Sequence, residues 1–468
     1  MERYYLAIDI GASSGRHMLG HIENGKMILE EIWRFENGMK DREGSLCWDL
    51  DALFEEIKTG MKRCKELGKI PVSMGIDTWA VDYVLLDEKD QVLGKTYGYR
   101  DGRTQGVDED VYKIISEEEL YSRTGIQKQS FNTIYQLMAV KKNNPEHLKA
   151  AKNFLMLPDY FHFLLTGQKC SEYTNATSTQ LINAQTNDWD RELIERLGYP
   201  QEMFLPLSQP GTLVGSFTKE IEEEVGFSCE VVLPATHDTG SAVMALPGEG
   251  DKNLYISSGT WSLMGIENKT AICTEESRKR NFTNEGGYEY RYRYLKNIMG
   301  LWMIQFVRKE LENKYSFAEL CAMASRRSDF PSRVDVNDPV FLAPDSMIRA
   351  IREMCAKTGH PVPETPDELA AVVYESLSDS YRETAEEIEG LTGSHYNTIC
   401  IVGGGSNAEY LNRLTAKKSG RRVLAGPGEA TAIGNLMAQM IQKGEFDTLE
   451  QARRCVGTSF SIHEYMPE

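Results

Sequence analysis

A carboxylate stands where an apolar run gives way to a helical one: Thr236-His237-Asp238-Thr239-Gly240 follows VVLPA and precedes SAVMAL. In such a place Asp238 is a candidate general base, orienting a hydroxyl and accepting its proton late in a phosphoryl transfer. The positive end of the helix favours the ionised form at neutral pH. Asp and Thr are also preferred helix caps, so capping is the competing reading. His237 either hydrogen-bonds a substrate or packs.

Three small-residue turns follow apolar runs. Asp9 ends YYLAIDI, and Gly11-Ala12-Ser13-Ser14-Gly15-Arg16 comes next. Backbone N–H groups of such a turn can approach phosphate oxygens, with Ser13, Ser14 and Arg16 as further donors. Asp9 is placed to hold Mg²⁺ through water. Ser257-Ser258-Gly259-Thr260 follows NLYI, and Gly403-Gly404-Gly405 follows TICIV. The first of these two suits phosphates and the second an adenosine. Each turn alone also reads as an ordinary hairpin or loop.

Better-known motifs do not account for these turns. Gly11–Gly15 matches G-x-S-x-G, but that elbow needs a helix after the serine, and RHMLGHI alternates like a strand. Gly403-Gly404-Gly405-Ser406-Asn407-Ala408 matches a dinucleotide fingerprint, yet the next strand, RRVLAGP, ends without the acidic residue required. Gly94-Lys95-Thr96 resembles the tail of a P-loop, but Lys89 occupies the place of its first glycine.

A second polar set, Asp77-Thr78-Trp79-Ala80-Val81-Asp82, follows VSMGI. An indole between carboxylates suits a sugar, which offers one apolar face and a rim of hydroxyls. Arg100-Asp101-Gly102-Arg103 extends that wall. Core packing for Trp79 and a surface ion pair for the arginines are the alternatives.

The elements that must position these groups read as α/β throughout. YYLAIDI, RHMLGHI and KMILEEI are strands, with Asn24-Gly25 as the hairpin turn between the last two. Leu50–Leu67 is helical, VSMGID and AVDYVLLD are strands, and residues 107–165 are a helical block broken by Pro145 and Pro158. VVLPAT is a strand before a helix. Residues 367–390, NAEYLNRLTAKKSG and GEATAIGNLMAQMI are helices, and TICIVGGG is a strand ending in a turn. YLAIDIGASSGRHMLGHI and NLYISSGTWSLMGI share one strand–turn–strand pattern, which predicts two related domains, residues 1–243 and 244–468, with the ligand site in a cleft between them.

The chain has 468 residues, enough for two cores. Hydrophobic residues at 41% and charged residues at 26% exclude a disordered chain. A net charge of −18 argues against a nucleic-acid partner. No apolar run reaches a membrane span, and MERYYLAIDIG lacks the order of a signal peptide. Nine scattered cysteines without a C-x-x-C pair predict free thiols and a cytoplasmic protein.

On the segments AIDIGASSGRHML, GIDTWAVDYVLLD, YRDGRT, LMLPDYF, EYTNATSTQL, THDTGSAV, YISSGTWSLMG, NEGG, LKNIMGLW and IVGGGSN, which run in order through nearly the whole chain, the sequence resembles the FGGY carbohydrate kinases. The resemblance implies two actin-like (ribonuclease H-like) ATPase domains, the first on the sugar side and the second on the nucleotide side. DTWAVDYVLLD, YTNATSTQL and LKNIMGLW are similar to the branch acting on L-rhamnulose. They imply phosphorylation at O1 by ATP with Mg²⁺, in rhamnose catabolism. Asp238 is then the proton acceptor. Ala12, Ser13, Ser14, Gly15, Arg16, Thr260, Gln305, Gly403, Gly404 and Gly405 are implied to contact ATP. Ala80, His237, Asp238, Thr239 and Asn297 are implied to contact the sugar. Ala80 stands where that branch has glycine, which predicts a narrowed but tolerated pocket. The partners expected are the sugar and ATP, in a monomer or homodimer. A kinase of another ketose (L-fuculose or xylulose) and a non-catalytic actin-like nucleotide switch are the alternatives.

Overall fold

The computed structural model describes residues 2–247 and 253–467. The chain forms two compact units. Unit 1 comprises residues 1–245, 268–294 and 431–459; unit 2 comprises 246–267, 295–430 and 460–468.

Unit 1 is built on strands β1 (Tyr4–Ile10), β2 (Ser14–Glu23), β3 (Lys26–Glu36), β4 (Pro71–Thr78), β5 (Leu213–Ser216) and β6 (Glu230–Val232), in the order β5-β6-β4-β1-β2-β3. Tyr5, Leu6, Ala7, Ile8 and Ile10 are fully buried, as a central strand covered on both faces requires. β1 pairs antiparallel with β2, placing Asp9 opposite Arg16. It pairs parallel with β4, placing Asp9 opposite Asp77. Register therefore gathers three charged residues at one end of the sheet. Asn24 and Gly25 have φ of 50° and 75°, the left-handed pair that a two-residue hairpin turn demands.

Helix α1 (Leu50–Glu66) is capped by Asp49, whose side chain accepts the Ala52 N–H. Its residues Leu53, Ile57, Met61 and Cys64 line one face and are buried. Helix α2 (Tyr173–Thr177) and helix α3 (Asp238–Met244) carry site residues. The expected helical block holds a strand at Asn153–Met156. Pro145 and Pro158 lie at helix starts, where the missing N–H costs nothing. AVDYVLLD is also only partly a strand, Tyr83–Leu86. Residues 79–82 form a turn, with Val81 at φ 67°.

Unit 2 repeats the opening pattern of unit 1. β7 (Leu254–Ser258) pairs antiparallel with β8 (Trp261–Asn268) and parallel with β9 (Thr398–Val402). β10 (Arg422–Ala425) and β11 (His463–Tyr465) follow β9. Helix α4 (Trp302–Glu310) starts on the turn after β7: Leu301 N–H donates to Gly259 O at 3.1 Å and Trp302 N–H to Thr260 O at 3.0 Å.

Near its end the chain returns to unit 1. Helix α5 (Ala430–Gln442) lays Asn435 and Gln439 on the first sheet. Asn435 Nδ2 donates to Asp77 Oδ2 at 2.6 Å, and Gln439 Nε2 to Leu6 O at 2.9 Å. Gly434 lets α5 lie close against α3, since a Cβ there would lie 1.8 Å from Ser241 O. No single cut of the chain therefore separates the two units.

Candidate active site

The stretch between β6 and α3 is buried. Thr236 O accepts the Thr78 N–H at 2.9 Å, and His237 bridges Thr78 in parallel fashion. His237 takes the cap position of α3 without a side-chain cap bond, and Asp238 is the first helical residue. Asp238 Oδ1 accepts the N–H of its neighbour Thr239 at 2.6 Å and stands 3.5 Å from His237 Nε2. Its side chain keeps 29% exposure, so the carboxylate is available to a ligand.

Burial pushes Asp238 up to about 7, and the charge of Asp9 adds to the effect; the Thr239 N–H and Arg293 oppose it. Full ionisation at neutral pH, expected from the helix end, is thereby corrected. Desolvation of a carboxylate outweighs the partial charge of a two-turn helix. A base that titrates near neutrality is well matched to proton acceptance there.

Glu172 fixes the approach to Asp238. Fully buried, its carboxylate accepts from Thr174 N (2.8 Å), Thr174 Oγ1 (2.6 Å), Asn175 N (3.1 Å), Thr236 N (3.1 Å) and Thr236 Oγ1 (2.7 Å). Five donors compensate the loss of water around one buried charge. The EYTNA segment thus staples α2 to the strand end that carries the candidate base.

Asp9 meets Arg16 through both Nε (3.0 Å) and a terminal nitrogen (2.9 Å). Asp77 is fully buried, and its Oδ1 has no hydrogen-bond partner. Burial first, then the charges of Asp9 and Asp238, hold the Asp77 carboxyl well above the usual range. Among the described residues no three His, Cys, Asp or Glu side chains converge to cage a metal. Mutually repelling carboxylates with an orphaned oxygen nevertheless fit a hard divalent cation that keeps most of its ligands as water and phosphate. Gly15 also has a packing duty: a Cβ there would lie 2.1 Å from the Phe35 ring.

The sugar wall is partly core. Trp79 is 7% exposed and lies 4.0 Å, centroid to centroid, from Trp48. Both indoles donate to Asp82 Oδ2, at 2.9 and 2.6 Å. Gln136 and the Tyr99 N–H complete the shell of Asp82, which burial still pushes up to about 6. Ala80 is half-buried beside this cluster. It lies outside the left-handed region that Val81 occupies, so its methyl adds no backbone strain. Arg103 is no surface ion pair, for it donates to Gln136 O and Oε1 at 2.9 and 2.8 Å.

Arg293, which has no sequence signal, and Glu285, in the NEGG segment, complete the set in unit 1. Arg293 lies on the strand Tyr292–Met299 and Glu285 on the strand Thr283–Gly286. Arg293 is fully buried; it donates to Gly286 O (3.1 Å) and Thr239 Oγ1 (2.6 Å), and a terminal nitrogen lies 3.0 Å from His237 Nδ1. Glu285 Oε2 pairs with it at 3.0 Å. Burial first, then Arg293, depress His237 well below the usual histidine range. The NEGG segment was legible as a motif, but nothing local marked Arg293 as buried.

In unit 2 the turns are neutral and tightly packed. Thr260 Oγ1 donates to Gln305 Oε1 at 3.4 Å. A Cβ on Gly405 would lie 1.9 Å from Ser258 Oγ, and one on Gly403 (φ +82°) 2.9 Å from Ser258 O. Gly403–Gly405 and the β7 turn are thus brought together. Asn297 is half-buried, on the same strand as Arg293 but within unit 2.

Two family models match the chain: the FGGY family of carbohydrate kinases, N-terminal domain, over residues 4–245, and its C-terminal domain over residues 254–442. The chain is 54% identical to a rhamnulokinase of Halalkalibacterium halodurans, over 99% of this chain and 98% of that one. It is 50% identical to a rhamnulokinase of Oceanobacillus iheyensis with the same coverage. Among solved structures, a gluconate kinase from Lactobacillus acidophilus and a xylulose kinase from Rhodospirillum rubrum each superpose with a TM-score of 0.79 at 16% identity, covering 100% of this chain and 94% of theirs. That likeness shows the fold, the two-domain actin-like ATPase architecture of carbohydrate kinases.

Proposed function

The chain belongs to the FGGY family of carbohydrate kinases and is an ATP-dependent sugar kinase, and from that premise we propose that it phosphorylates L-rhamnulose at O1, giving L-rhamnulose 1-phosphate and ADP in rhamnose catabolism. The observation that carries the choice of sugar is the identity of 54% and 50%, over nearly the full length, to two rhamnulokinases.

In this reading Asp238 accepts the proton of the O1 hydroxyl as the γ-phosphoryl group is transferred. Its pKa near 7 and its partial exposure suit that task. Ala80, His237, Thr239 and Asn297 bind the sugar. Ala12, Ser13, Ser14, Gly15 and Arg16 bind ATP in unit 1, and Thr260, Gln305 and Gly403–Gly405 bind it in unit 2. Asp9 holds Mg²⁺ through water, with Asp77 behind it. When bound, the cation neutralises charge on the phosphates. Residues 1–243 make the sugar-side domain and 244–468 the nucleotide-side domain, with 268–294 and 431–459 packing into the first unit. No described helix is long and apolar enough to cross a membrane, and all nine cysteines are free thiols. The proposed enzyme is cytoplasmic, as a monomer or homodimer.

A panel of ketoses assayed for ADP release with ATP and Mg²⁺ tests the reading. L-Rhamnulose should have the highest kcat/KM. A higher value for xylulose or L-fuculose would reassign the sugar, and sugar-independent hydrolysis alone would point to a nucleotide switch.

A further inference from the structure

His237 has two ring nitrogens with unlike neighbours. Nδ1 lies 3.0 Å from a terminal nitrogen of Arg293 and 3.5 Å from Glu285 Oε2. Nε2 lies 3.1 Å from Thr239 Oγ1 and 3.5 Å from Asp238 Oδ1. Guanidinium has donors and no acceptor, so a hydrogen bond at 3.0 Å requires a lone pair on Nδ1. Glu285 is the one neighbour that would reward a proton on Nδ1, but 3.5 Å is beyond good hydrogen-bond geometry. The ring is therefore neutral and carries its proton on Nε2.

We infer that Arg293 is a positioning residue for the sugar, acting by locking His237 as the Nε2–H tautomer and filling the acceptor site of Thr239. With His237 Nε2–H and an Arg293 N–H both directed at Thr239 Oγ1, at 3.1 and 2.6 Å, that oxygen accepts twice. Its own hydrogen has no acceptor among the described residues and is left to donate. The triad then presents one assigned pattern: a carboxylate acceptor at Asp238 and a hydroxyl donor at Thr239, backed by an imidazole N–H. A hydroxyl beside Asp238 gives its proton to the carboxylate, and a neighbouring sugar oxygen receives the Thr239 hydrogen. Were Nδ1 protonated, His237 Nε2 would be an acceptor, the Thr239 hydrogen would turn back onto it, and the donor would be lost. The buried Glu285–Arg293 pair holds the guanidinium in place.

This inference rests on the reading of His237, Asp238 and Thr239 as the sugar-facing set. Its test has a readout that does not depend on which sugar is used. ¹⁵N-histidine-labelled protein without ligands is examined by NMR, the His237 signals being assigned by their loss in H237Q. In the native protein Nδ1 should give a pyridine-like shift and Nε2 a pyrrole-like shift. In R293K, and in the charge-neutral pair R293M/E285Q, the two tautomers should mix. KM for the accepted ketose should rise about tenfold, the worth of one hydrogen bond, while KM for ATP stays within about twofold. The double variant removes both buried charges, so it stays informative if a lone R293M does not fold. A protonated Nδ1 in the native protein overturns the inference, as do variants that keep both the native tautomer and the native KM. If the substrate is a different ketose, the tautomer result stands and the KM effect appears with that ketose.

Discussion

The hairpin turns that open the two units are built alike and charged differently. In unit 1 Gly11 N–H donates to Ser14 O at 2.8 Å; in unit 2 Gly259 N–H donates to Trp261 O at 2.8 Å. In both, the first strand pairs antiparallel with the second and parallel with a later one. Around the first turn the register brings Asp9, Arg16 and Asp77 together, and Asp238 lies close enough to feel Asp9. At the matching places in unit 2, Ser257 faces Leu263 and Val402. One backbone device thus serves two tasks. Crowded carboxylates at the first turn suit the proposed base and cation site, at the cost of mutual repulsion. Close-packed serine and glycine give the second a shape that suits the proposed approach of backbone to ATP.

Breaking the first side should have the largest effect. Asp238→Asn should lower kcat by about 10²–10⁴-fold, the usual worth of a positioned base, with ATP affinity by calorimetry unchanged. A loss of only a few-fold would remove Asp238 from the base role.

Breaking the second side should act on ATP instead. Gly403→Ala forces an L residue to φ +82° and sets its Cβ 2.9 Å from Ser258 O. The left-handed conformation alone costs about 1–2 kcal/mol, so KM for ATP should rise about tenfold or more while kcat at saturating ATP is kept. If kcat falls in step, the division between the turns fails.

The pH dependence sharpens the contrast. The folded-state pKa of Asp238 is raised to about 7. Its basic form is therefore lost as pH falls through 7, and kcat/KM for the sugar should drop about tenfold per pH unit below that point. Between the unfolded pKa of about 4 and the folded pKa near 7 the folded state binds the extra proton. Stability from this group therefore declines as pH rises across that window, in thermal melts without nucleotide or cation. A profile flat from pH 5 to 8 would show that chemistry does not depend on this carboxylate.

The smallest effect is expected at Ala80. Because its methyl sits without backbone strain, Ala80→Gly should change KM among ketoses by less than about tenfold, the lower end of what one methylene in a fitted pocket is worth. A shift in which ketose is preferred would make this position a specificity determinant.

Legibility followed the range of the interactions. β1, β2 and the Asn24-Gly25 turn were readable because alternation and left-handed preference act within a few residues. Asp238 stood out because a strand–helix junction is marked by local residue types. Residues 80–82 read as strand from sequence but form a turn, since its shape is held by Thr133 and Gln136, whose side chains bond Val81 O at 2.7 and 3.2 Å. Sequence leaves Trp79 open between sugar wall and core, and the contact with Trp48 decides for core.

By itself the sequence determined the alternation of strands and helices, the glycine turns and the identity of the candidate base, all properties of neighbouring residues. Tertiary structure alone decided what those groups are chemically. Burial and the charge of Asp9 moved the Asp238 carboxyl to about 7, although residue type and helix position predicted a fully ionised acid. Arg293, 56 residues away along the chain, sets which nitrogen of His237 carries the proton. Desolvation and hydrogen-bond direction depend on what the fold brings alongside a residue, and no local pattern encodes that.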